Sequence, residues 1–128
     1  MKPERIYAGY FGLQAVLGCA QWSIFFLSPT VRGWFELMPT KHAVVDAFVV
    51  ADLGVVILGS ALSAWAVWTG KRWSVPVVMF TSGGIVYATL YLVGWVGFTG
   101  EGSVLLWMML VVTTLTCWCA YQVWRLAR

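Results

Sequence analysis

One carboxylate in this chain stands where a carboxylate is costly. From Ala47 to Trp68 the sequence runs 22 residues with Asp52 as its only ionisable side chain. A charged residue at the centre of a membrane helix costs ~2.5–3.5 kcal/mol on insertion scales, so it turns toward a partner, a cavity or a ligand. Asp52 can hydrogen-bond other helices and fix their packing, anchor the polar group of an apolar ligand, or carry a proton.

Its neighbours in depth are found by counting from the helix ends. Gln21 precedes the end of the first apolar run by seven residues, Tyr91 precedes the end of the third by seven, and Asp52 follows the start of the second by about as many. At 1.5 Å per residue all three lie ~10 Å below the same surface. Tyr87, one turn from Tyr91, and Trp107, near the start of the fourth run, extend this layer with aromatic surface suited to a lipid, sterol, quinone or carotenoid. The candidate ligand-binding residues are therefore Asp52, Gln21, Tyr87, Tyr91 and Trp107, with Asp52 expected to reach Gln21 or Tyr91.

Other chemistry finds little support. The chain has one histidine, His42, and although Glu36, His42 and Asp46 could each ligate a metal, no metal-binding spacing joins them. Asp46 sits four residues after His42, which reads as a surface pair in the first turn of a helix. Cys117 and Cys119 lie two apart on a helix and point to nearly opposite sides, so they and Cys19 read as packing residues. Nothing has the form of a hydrolytic triad. No catalytic residues and no metal site are expected, and no cofactor is implied.

The elements that must position Asp52 follow from composition. Hydrophobic residues make up 61% of the 128 and charged residues 10%, less than half the share usual in soluble domains. Four apolar runs, at about 6–28, 45–69, 73–98 and 103–124, predict an all-α polytopic membrane protein, a single domain of four spans in an up-down bundle. Val16-Leu17-Gly18-Cys19 loosely resembles a lipoprotein cleavage box, but the apolar run continues beyond it, so a retained span is expected. Pro29 and Pro39 bracket a stretch of mixed charge and bulk that predicts a short interfacial element between the first two spans. Pro76 falls in the first turn of the third span, and Ser103 is placed to cap the fourth.

Basic residues set the orientation. Lys2, Arg5, Lys71, Arg72, Arg125 and Arg128 share one face against Arg32 and Lys41 on the other, which predicts cytoplasmic termini in a bacterial inner or plasma membrane. The charge of +3 is this collar, and no nucleic-acid partner is implied.

Periodicity predicts the inward faces. On the first span, Tyr7, Tyr10, Gln14, Gln21 and Phe25 form one stripe; on the second, Asp52, Val56, Gly59, Ser63 and Ala66; on the third, Gly84, Tyr87, Tyr91 and Gly94. The nine tryptophans read as an aromatic belt, with Trp22, Trp34, Trp95 and Trp107 near one interface, Trp68, Trp73, Trp118 and Trp124 near the other, and Trp65 somewhat deeper. Three functions are compatible with these features. The leading expectation is a noncatalytic accessory or structural subunit of a larger membrane assembly, its partner-facing surface on the Leu105, Met108, Met109 and Val112 side. The second is an apolar-ligand binder with its pocket around Asp52, and the third a proton-coupled small transporter.

Overall fold

A long apolar run crosses a bilayer only if its own backbone satisfies its amides, and each of the four runs does so as a helix. The computed structural model describes residues 4–35 and 43–128. They form α1 (Glu4–Leu27), α2 (Pro29–Phe35), α3 (Ala43–Ala51), a π-helical segment π1 (Asp52–Leu58), α4 (Gly59–Trp68), α5 (Ser74–Thr99) and α6 (Ser103–Leu126). Four stretches are long and apolar enough to span a membrane: Glu4–Leu27, Asp46–Trp68, Ser74–Thr99 and Ser103–Leu126. The chain is an all-α four-helix bundle of an integral membrane protein. Its helix ends fall close to the predicted ones, because proline and glycine punctuate the turns.

The local causes are visible at each turn. Pro29 opens α2, where its missing N–H is one the helix would leave unbonded anyway, and Ser28 Oγ accepts from the Val31 amide at 3.4 Å. At the end of α5, Gly100 takes the left-handed conformation (φ 74°) and its amide bonds Val96 O, a stop that favours a residue without Cβ. Ser103 is the first residue of α6, and the cap position belongs to Gly102, without a side-chain hydrogen bond.

The helices form a closed ring. α1 lies beside π1 and α4, which lie beside α5; α5 lies beside α6, and α6 returns to α1. Glu4, the turn at Gly70–Ser74 and Leu126 line one depression at the same end, so the two ends of the bundle's chain share a side. Three of the four seams carry a hydroxyl-to-hydroxyl stitch. Thr89 and Thr113 hydroxyls lie 2.6 Å apart between α5 and α6, Ser63 and Thr81 3.3 Å apart between α4 and α5, and Tyr10 and Thr116 2.8 Å apart between α1 and α6. The α1–α4 seam instead brings small residues together, Gly12 facing Ala64. One apolar cluster, around Phe11, Val67, Val78 and Val123, fills the terminal half of the bundle. A second, around Trp22, Phe25, Ile57 and Leu92, fills the other.

The expected faces hold for α1 and α4 and fail for α5. Gln14 and Phe25 are buried, as are Gly59, Ser63 and Ala66. On α5 the buried residues are Val78, Thr81, Ser82, Ile85, Thr89 and Leu92, while Tyr87 and Tyr91 are exposed. Gly84 does turn inward, against the Val55 side chain. The tyrosines take the next stripe round, on the outer surface of the bundle.

Asp46 has a partner that the sequence did not point to. Asp46 accepts from Arg32 at 2.9 and 3.1 Å, a pair that ties α2 to the start of the second span, and the Arg32 guanidinium lies 5.1 Å from the Phe25 ring centre. The expected partner His42 lies outside the described residues, as do Glu36, Lys41 and the latter part of the predicted interfacial element. Of the cysteines, Cys119 is buried, Cys19 and Cys117 are exposed, and all three are free thiols.

Candidate functional site

Asp52 is the first residue of π1. An α-helix at this point would carry its amides four residues back; here the Gly59 amide still reaches Gly54 O, five back. A π turn inserts about one residue into the helical count, and such insertions recur where a side chain must be re-aimed. The insertion lets the rod serve two registers. α4 keeps Ser60, Ser63, Ala66 and Val67 buried, while Asp52 and Phe48 face a cavity between the four spans.

The glycines of the neighbouring helices accommodate the widened turn. Ile57 fits against Gly18 of α1 and Val55 against Gly84 of α5, each so close that a Cβ on the glycine would collide with it. Val55 and Ile57 thus wedge π1 between the two helices.

The cavity holds about 330 Å³ and occupies mainly the half of the bundle away from the termini. That is the lower end of the range found for small-molecule sites. Its wall is largely apolar, from Leu17, Val56, Leu92, Leu105, Met109 and Val112 among others. The hydrogen-bonding side chains on it are Tyr10, Gln14, Gln21, Trp22 and Asp52, and among the described residues no cationic one lines it. Half-exposed Leu13 and Leu17 of α1 and Leu115 of α6 belong to the same wall, so the cavity reaches the outside of the bundle between α1 and α6.

Comparison with family models, with curated proteins and with solved structures finds no match.

Of the five residues expected to form it, the structure brings two together. Asp52 and Gln21 line the cavity. Tyr91 stacks on Trp95 and against Phe48 and is not part of the lining, while Tyr87 and Trp107 stand 74% and 70% exposed on the outer surface. The partner of Asp52 is also different. Trp22 Nε1 donates to Asp52 Oδ2 at 3.2 Å, and neither Gln21 nor Tyr91 is its partner among the described residues. Trp22, expected in the interfacial belt, is 8% exposed and packs edge-on against Phe25. Its indole has one N–H, which finds a carboxylate rather than the headgroup region.

Gln14 is the residue that the expected site lacked. It is 8% exposed, and its Oε1 accepts from Thr116 at 3.0 Å. Thr116 Oγ1 also lies 2.7 Å from Val112 O of its own helix; its single hydroxyl proton is shared between these two acceptors, so Tyr10 is the donor in the 2.8 Å contact with Thr116. Gln14 Nε2 is buried and has no partner, a condition that costs about 1–3 kcal/mol. Ser60 Oγ and Trp95 Nε1 are also buried without partners, but neither residue lines the cavity. The signal for Gln14 was its position seven residues before Gln21 on one face. It placed Gln14 on the inward stripe without separating it from a packing residue.

Proposed function

We propose that this protein holds an apolar small molecule, of the size of a sterol, a quinone head or a lipid tail, inside the bundle with its polar group against Asp52. The observation that carries this reading is the cavity itself: apolar walls from all four spans around one carboxylate whose only described partner is Trp22. A bundle that needed Asp52 for packing alone would be expected to close on it. The opening between α1 and α6 supports loading from the bilayer, since its rim is leucine. On this reading the protein is a binder, and the sequence offers no reaction for the carboxylate to catalyse.

The test is purification in mild detergent followed by mass spectrometry of lipids and proteins together. A stoichiometric small molecule is expected, and Asp52→Asn, which keeps the size of the side chain but removes its charge, should reduce its retention roughly tenfold or more. A stoichiometric protein partner without a small molecule would overturn the reading in favour of the accessory subunit that composition alone favours.

Orientation belongs to the same proposal. Of the described basic residues, Arg5, Lys71, Arg72, Arg125 and Arg128 lie toward the end where α1 begins and α6 finishes, and Arg32 toward the other, which supports a cytoplasmic N- and C-terminus. A cysteine introduced at Arg128 should resist a membrane-impermeant thiol reagent in intact cells, and one at Gly100 should react. The reverse pattern would refute the assignment.

A further inference from the structure

The hydrogen-bonding groups of the cavity lie at two levels. Asp52, Trp22 and Gln21 form one; Gln14 and Tyr10 form the other. Gln14 and Trp22 are eight residues apart on the unbroken helix α1, so the two levels are separated by ~12 Å along the bundle. Between them the wall is apolar, from Leu17, Gly18, Val56 and Met109.

The Gln14 level asks for something the protein does not supply. One amide atom is satisfied by Thr116 and the other, Nε2, is buried without a partner. Turning the amide over exchanges the two atoms and leaves the oxygen orphaned instead, so the need for an outside partner does not depend on which way it points. The Asp52 level has the complementary deficit, a carboxylate in a wall without cations among the described residues. A hydroxyl answers both, because it donates to a carboxylate and can either donate to or accept from an amide.

We infer that the ligand is two-headed: an elongated apolar molecule with a hydroxyl or similar hydrogen-bonding group at each end, one on Asp52 and the other on Gln14. This rests on the reading of the cavity as a ligand site. A molecule with a single polar end would leave one of the two levels unanswered, and two-headedness is what distinguishes the ligand from the ordinary lipids around it.

The probes are a ten-carbon α,ω-diol, whose length is comparable to the separation of the two levels, and the ten-carbon primary alcohol. Binding to the purified protein in mild detergent is measured by equilibrium dialysis at matched free concentrations. The diol should bind about threefold to tenfold more tightly than the alcohol, the worth of one hydrogen bond. Gln14→Leu should erase that advantage, and Asp52→Asn should weaken both probes. Equal affinity of diol and alcohol for the unaltered protein, with both sensitive to Asp52→Asn, would overturn the two-headed ligand and keep the ligand site. Absence of saturable binding by either probe would overturn both. Because the first comparison uses the unaltered protein, it is decisive even where Gln14→Leu fails to fold.

Discussion

Replacing Gly84 with alanine is expected to destabilise the bundle by about 1–3 kcal/mol, the usual cost of overfilling a packed interior, whereas the same change one residue earlier should stabilise it. A Cβ at Gly84 would meet the Val55 side chain, and a Cβ at Gly83 would meet nothing within 4 Å. Valine is β-branched and stiff at χ1, so Val55 cannot swing aside. It is also part of π1, which is wedged on its other side by Ile57 against Gly18. At Gly83 only the gain in helix propensity remains, about 0.5–1 kcal/mol. Thermal melting of both variants in one detergent compares them directly. Equal melting temperatures would mean that α5 and π1 do not meet at Gly84, and the glycine-to-valine change should lower stability further than alanine.

Deleting Gly54 should close the π turn with little effect on the spans. The residue is exposed, nothing lies near its missing side chain, and its removal takes no packing away. It does remove one residue from a segment whose amides reach five back, allowing them to reach four. Because the π turn holds one residue more than the α-helix it interrupts, closing it leaves α3 and α4 in nearly the same relative orientation, so Asp52 stays near Trp22 and Asp46 near Arg32. The residues inside the turn are the ones displaced, and Val55 and Ile57 lose their seats against Gly84 and Gly18. Helical content by circular dichroism should be unchanged, while stability should fall by about 1–3 kcal/mol, the usual cost of misfitted side chains in a packed interior. An unchanged melting temperature would show that π1 does not wedge the two helices.

What could be read from the sequence depended on which physical signal the bilayer leaves intact. The four spans were legible because an apolar run of that length has one stable form in lipid, and Pro29 and Gly100 marked its limits. Asp52 and Gln21 were legible because polarity at depth is costly wherever it occurs. The inward face of α5 was not, since lipid-facing and core-facing positions are both apolar and the usual contrast between faces is lost. There the inner side is marked by Thr81, Ser82 and Thr89, hydroxyls that bond their own helix or the next one, and tyrosine proved the weaker guide. Trp22 was misplaced for a related reason, because an indole suits either an interface or a buried acceptor. The π turn left no mark beyond Gly54, so a face projected from Asp52 at the α-helical period happened to reach the right α4 residues while missing how the chain gets there.

The stitch between Tyr10, Thr116 and Gln14 joins the first span to the last. During synthesis α1 enters the membrane three spans before α6, and for that interval its amide and phenol lie at membrane depth without the threonine that later pairs with them. The cavity has no sixth-helix wall until then, and its polar floor faces the lipid directly. The ring is therefore complete only once α6 lies against α1, and with it the part of the cavity wall that Leu105, Met109 and Val112 supply.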